Sequence, residues 1–139
     1  MTRLLVATES NKIKDQIYAV LDPERDELVE VSEGRLVAVA LAEQEIDLVV
    51  TDMQIGSMGG VAVCHHLRLE ESGGRLNYVP VLLLLDRRAD VFLARRCGAD
   101  GWLIKPLDPL RLRTAIDSIL AGERYEDASW QPVPVISRT

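Results

Sequence analysis

Cysteine is scarce in this chain: Cys64 and Cys97 are the only two among 139 residues. Both lie in apolar helical contexts without metal-ligand spacing. That excludes a disulfide scaffold and reads them as reduced core residues of a cytoplasmic protein. Long apolar runs are missing too. Leu36–Ala42 and Val79–Leu85 fall far short of the roughly 20 residues that span a bilayer, so no membrane association is expected. Met1–Ala7 runs straight into Thr8, Glu9, Ser10 and Asn11, so no secretory segment is expected. Basic residues are outnumbered, 16 Lys and Arg against 22 Asp and Glu, for a formal charge of −6. That is the wrong sign for a nucleic-acid surface. Internal repeats are absent. What remains is ordinary, 47% apolar and 27% charged, in a chain long enough to bury about two-thirds of its unfolded surface as one domain.

Strand-like and helix-like patterns alternate from end to end. Leu4–Thr8 is a short apolar run of the kind covered on both faces. Ser10 then suits an N-cap, with Ile13, Ile17, Val20 and Leu21 at helical spacing behind it. Glu27–Val31 alternates as a strand, and Gly34 opens an alanine-rich helix to about Glu45. Asp47–Thr51 is the third strand. A glycine-rich loop, Gln54–Gly60, leads to a helix over Val61–Glu71. Val79–Leu85 is the fourth strand, with Pro80 tolerable at its start. A short helix over Ala89–Cys97 stops at Gly98, and Gly101–Ile104 is the fifth strand. Asp108 and Pro109 cap a last helix striped by Leu112, Ile116, Ile119 and Leu120, which Gly122 ends. Five strand–helix units in series predict an α/β fold with a parallel sheet and helices on both faces.

Ligands of such sheets bind beyond the carboxyl ends of the strands, where strand order reverses. Thr8, Glu9 and Ser10 follow the first strand, Asp52 the third, Leu85 and Asp86 the fourth, and Lys105–Pro106 the fifth. Carboxylates and an ammonium converging there suit a Mg²⁺ and phosphoryl site, because Mg²⁺ takes one or two carboxylates and the ammonium pairs with a phosphoryl oxygen.

The segments Leu4–Ser10, Asp47–Met53 and Cys97–Pro106, with Met58 and Gly60 between them, resemble the receiver domain of two-component response regulators, the CheY-like family. The likeness covers about Arg3 to Ala121. It implies a receiver domain over residues 1–122, folded as a flavodoxin-like, doubly wound, five-stranded parallel sheet of order 2-1-3-4-5. It implies that Asp52 accepts a phosphoryl group from a histidine kinase or phosphotransfer protein, and that Lys105 pairs with that group. Glu9, Asp52 and the Gln54 backbone carbonyl would hold Mg²⁺, and the Lys105–Pro106 peptide bond would be cis. A phosphoacceptor is implied, not a turnover enzyme. Output would pass to a downstream protein of unknown identity, or through a homodimer. Glu123–Thr139 is too short for an output domain, so a stand-alone member with a mobile or partner-docking tail is expected; Trp130–Ile136 is the candidate docking segment.

Four departures surround the site. Thr8 replaces one carboxylate of the acidic pair, which weakens metal binding. Leu85 replaces the Ser or Thr that bonds the phosphoryl oxygen, a charge-assisted bond of about 1.5–3 kcal/mol. Asp86 brings a negative charge towards the incoming group, or caps the next helix. Gly56 and Gly59 replace a Pro and an Asp, loosening the loop. Trp102 stands at the aromatic switch position, where Leu85 as its partner favours one packed orientation. Glu9 and Asp52 together are expected to lower stability without Mg²⁺. The alternative is a phosphorylation-independent interaction module. An aspartyl phosphatase is disfavoured because Gln54 stands where its general acid would be.

Two neighbouring features carry no chemistry. His65 and His66 are adjacent on one helix, cannot share a face, and read as solvent-facing. Arg87, Arg88, Arg95 and Arg96 read as a solvated basic face. Leu36 and Val39 are candidates for an exposed contact surface on an otherwise core-type helix.

Overall fold

The computed structural model describes residues 1–127. Alternation along each strand divides its core in two. The strands are β1 (Thr2–Ala7), β2 (Asp26–Val31), β3 (Leu48–Asp52), β4 (Val81–Leu85), β5 (Gly101–Ile104) and β6 (Tyr125–Glu126). The helices are α1 (Asn11–Val20), α2 (Leu36–Glu43), α3 (Gly60–Ser72), α4 (Val91–Arg96) and α5 (Pro109–Leu120). Leu5, Val49, Leu83, Leu85 and Trp102 face the layer of α2, α3 and α4, while Leu4, Val6, Val50, Leu84 and Leu103 face α1 and α5. Strands buried on both faces read as continuous apolar runs, as Leu48–Val50 and Val81–Leu85 do.

Every pairing is parallel and the order is β2-β1-β3-β4-β5-β6. All strands therefore end at one mouth, and the order reverses at β1, which lies between β2 and β3. The helix caps follow the sequence. Ser10 Oγ accepts from Ile13 N at 3.2 Å, and Asp108 Oδ2 accepts from Arg111 N at 3.0 Å ahead of Pro109. Among the described residues, no helix is long and apolar enough to cross a membrane.

Two expectations need correction. The sheet has six strands, not five: Tyr125 and Glu126 pair with Gly101 and Trp102, so residues 125–126, expected in the tail, extend the sheet. A two-residue strand shows no periodicity. Its hold comes from Asp127, only 2% exposed, whose Oδ2 accepts from Ile104 N at 2.9 Å and whose Oδ1 lies 3.6 Å from Arg111 Nη1. Gly101 permits the approach, since a Cβ there would lie 2.6 Å from the Tyr125 carbonyl oxygen. The second correction concerns Asp86, which caps no helix. Asp90 Oδ2 takes the Arg87 amide at 3.1 Å instead, opening a 3-10 turn over Arg88–Asp90 before α4. The docking expectation for Trp130–Ile136 lies outside the described residues.

Candidate functional site

Four strand ends deliver polar side chains to the mouth. Asp52 closes β3 and is 3% exposed; Thr8, just past β1, is fully buried. Gly60 brings the start of α3 against the end of β3, where a Cβ would lie 2.5 Å from the Asp52 carbonyl oxygen. Asp86 follows β4 and Lys105 follows β5, with the Lys105 amide held by the Leu85 carbonyl at 2.9 Å.

Burying a carboxylate is costly unless it is paired and hydrogen-bonded, and Asp52 is both. Lys105 Nζ lies 2.6 Å from Oδ1, and the Gln54 amide donates to the same oxygen at 3.1 Å. The Thr8 hydroxyl donates to Oδ2 at 3.0 Å and is oriented by the Ser10 amide, which donates to Thr8 Oγ1 at 3.0 Å. Lys105 also reaches Asp86 Oδ1 at 3.0 Å. Burial alone would lower the lysine pKa, but the bonds from Asp52 and Asp86 outweigh it and hold the ammonium above its ordinary 10.5. Asp86 Oδ2 is buried without a hydrogen-bond partner among the described residues. A cavity of about 200 Å³, lined by Ser10, Ile13, Gln16, Asp52, Lys105 and Leu107 among others, opens beside this cluster.

Glu9 stands outside it. Its side chain is exposed, and Oε1 accepts from Gly56 N at 3.1 Å. Gly56 leaves the space that this carboxylate fills, since a Cβ there would lie 2.4 Å from Oε1. The anticipated pair of buried, mutually repelling carboxylates is therefore absent: one is solvated and the other is neutralised by Lys105. Gln54 has its amide on Asp52 while its side chain is exposed. The atoms at the mouth able to ligate a cation are all oxygens, from Asp52, Asp86, Thr8 and Glu9. Among the described residues, no group of three or more His, Cys, Asp or Glu is arranged to hold a metal. That set suits a hard cation that takes one or two carboxylates and keeps its own waters.

Leu85 and Trp102 are both fully buried in the same apolar cluster. The indole Nε1 has no hydrogen-bond partner among the described residues, and the Arg95 guanidinium lies 5.5 Å from its ring centroid. Lys105–Pro106 is cis. His65 is exposed and His66 half-buried, and Val39 is 49% exposed. Arg95 over Trp102 and Arg96 over Phe92 qualify the reading of a purely solvated basic face. Sequence reasoning treated Thr8 only as a missing acid and overlooked its hydroxyl as the Asp52 donor. A β-branched hydroxyl at a strand end, facing a buried Asp, was the available signal.

Comparison with known proteins points the same way. The model of the response regulator receiver domain family matches residues 4–117. The DNA-binding response regulator MtrA of Mycolicibacterium smegmatis is 27% identical over 128 residues, which are 91% of this chain and 54% of MtrA. The chain thus spans about half the length of the curated relatives it matches. A signal receiver domain of a signal transduction histidine kinase from Syntrophus aciditrophicus superposes with a TM-score of 0.76 at 25% identity, covering 88% of this chain and 92% of that one. The receiver domain of sensor histidine kinase PA1611 from Pseudomonas aeruginosa, solved with a magnesium ion coordinated in its active-site cleft, gives 0.73 at 19% identity, covering 86% and 98%; that likeness is one of fold.

Proposed function

Because the chain belongs to the response regulator receiver domain family of two-component systems, we propose that it accepts a phosphoryl group on Asp52 and passes the signal on through protein–protein contacts. The observation that carries this reading is the ion pair of 2.6 Å between Lys105 Nζ and the buried Asp52. A carboxylate oxygen attacks phosphorus of a phosphohistidine on a kinase or phosphotransfer protein. The P–N bond breaks as the acyl phosphate O–P bond forms. Lys105 neutralises the charge gathering on the phosphoryl oxygens, and the Gln54 amide and Thr8 hydroxyl hold the nucleophile's plane. Glu9, Asp52 and the Gln54 carbonyl are the residues that would hold Mg²⁺, weakly because Thr8 contributes no charge. Bound there, the cation supplies further charge neutralisation to the transferring group. Receiver domains are in general signalling modules, not turnover enzymes.

A second reading has its own support. Asp86 already occupies Lys105 at 3.0 Å and the Thr8 hydroxyl already donates to Asp52, so the ammonium and the candidate nucleophile are both engaged without a phosphoryl group. Leu85 offers no hydroxyl to sense one. On this reading the domain binds its partner irrespective of phosphorylation. Intact-mass measurement after incubation with Mg²⁺ and a small phosphodonor separates the two. A phosphoryl adduct on wild type and none on Asp52→Ala supports the first; no adduct on either supports the second.

A further inference from the structure

Outside the mouth, two nucleophilic side chains remain that nothing above uses. Cys64 sits on the inner face of α3 and is fully buried; Cys97 caps α4 and is 5% exposed. They are 33 residues apart in sequence, yet the Cys64 thiol donates to the Cys97 carbonyl oxygen at 3.4 Å, and the two thiols perturb each other's ionisation. Cys97 Sγ lies 3.3 Å from the Ala94 carbonyl oxygen. The Arg68 guanidinium is close by, its Nε donating to the Gly98 carbonyl at 2.9 Å.

The surroundings distinguish the pair. The neighbouring Cys64 thiol holds the Cys97 thiol below its ordinary value, with Arg68 acting in the same direction. The same contact, with burial, pushes Cys64 up. A thiolate is the nucleophile in thiol oxidation, and a second thiol in contact resolves the product. Cys97 is the member whose thiol is the more readily ionised of the two and the one that keeps a sliver of access.

We propose that Cys64 and Cys97 are a redox modification site, closed to a reversible disulfide by a peroxide. The Cys97 thiolate attacks a peroxide oxygen and the O–O bond breaks, giving a sulfenic acid and, with a proton, water. The Cys64 sulfur then attacks the Cys97 sulfur. The S–O bond breaks, the S–S bond forms, and the hydroxyl leaves with the Cys64 proton as a second water. Two thiols lose two electrons and two protons, which the peroxide takes up, and a dithiol reductant reverses the change. The product ties the middle of α3 to the end of α4, the helix that follows the Asp86 loop.

The test treats the folded, reduced chain with hydrogen peroxide, alkylates with N-ethylmaleimide in denaturant, and reads intact mass. The expected product is lighter by two hydrogens, takes no alkyl group, and regains both alkylation sites after dithiothreitol. Cys64→Ser should stop at a sulfenic acid on Cys97 that dimedone traps, whereas Cys97→Ser should leave Cys64 unoxidised. Cys64→Ala serves if the serine variant misfolds. Two results overturn the proposal: both thiols alkylating fully after peroxide, even with oxygen added to methionine, or bridging that occurs only once urea unfolds the chain.

Discussion

Opposite ends of one sheet each press a carboxylate against a cation, and the two are held differently. At the amino end, Asp100 accepts from Arg68 Nη2 at 2.5 Å, from Val81 N at 2.8 Å and from the Tyr78 hydroxyl. Arg68 also serves Glu71 and the carbonyls of Gly98 and Val79, and its guanidinium lies 4.8 Å from the Tyr78 ring centroid. Its planar fork meets several acceptors at once and fixes their directions. At the carboxyl end a single ammonium is shared by Asp52 and Asp86, one oxygen of Asp86 has no partner among the described residues, and Glu9 waits on the loop. The amino end is a saturated clamp that joins a loop to β4. The carboxyl end has more anion than its cation can satisfy, as a place that exchanges partners must.

The clearest way to break that contrast is to delete one partner at each end. Arg68→Ala or Asp100→Ala should cost about 2–3 kcal/mol, since each strands buried or half-buried polar groups. Asp52→Ala should cost less, about 1 kcal/mol, because it strands the Thr8 hydroxyl but leaves Lys105 paired with Asp86 and removes one of two crowded carboxylates. Urea unfolding at neutral pH compares them, and equal losses would erase the distinction. Restoring an acid with Thr8→Asp should tighten Mg²⁺ binding about tenfold, roughly 1.4 kcal/mol, and lower stability when the metal is chelated. Calorimetric titration reads the first and thermal melting the second. Asp86→Asn should free Lys105 and raise the rate of phosphoryl uptake from a small donor about threefold, with little change in unfolding midpoint; an unchanged rate would make Asp86 a bystander.

The smallest effect concerns alkaline pH. Burial and the bond to Asp100 push Tyr78 up to about 12 from 10.0. A raised pKa means that its contribution to stability is whole below about pH 10 and fades as pH climbs towards 12. Lys105 is raised as well, so the carboxyl end loses stability above its ordinary 10.5. Tyr78→Phe should flatten the first part of the slope and Lys105→Met the second.

Much of this was legible in the sequence, for a physical reason. Strands buried on both faces leave apolar runs, and caps and stops use residues with few substitutes, so Ser10, Asp108, Pro109 and Gly122 marked their elements. Parallel connectivity then requires that Asp52 and Lys105 share a mouth, although 53 residues separate them. Side-chain direction was not legible. Glu9 and Thr8 are neighbours, and which of them turns to Asp52 depends on the space above Gly56, a property of a distant loop. Asp86 suited a cap on local grounds and was claimed by a lysine from the next strand. The β6 pairing and the contact of Cys64 with Cys97 rest on non-local geometry that no window of sequence contains.

Asp127 has a consequence for whatever polypeptide follows it. Its carboxylate is stitched to the amide of Ile104, the residue immediately before Lys105. A load applied to the chain beyond this point would be delivered to the end of β5, next to the residue that carries the ammonium. Peeling that stitch would also bare the outer rim of β5 to any free strand nearby. The same anchor is thus a mechanical leash on the mouth and a guard against edge-to-edge association.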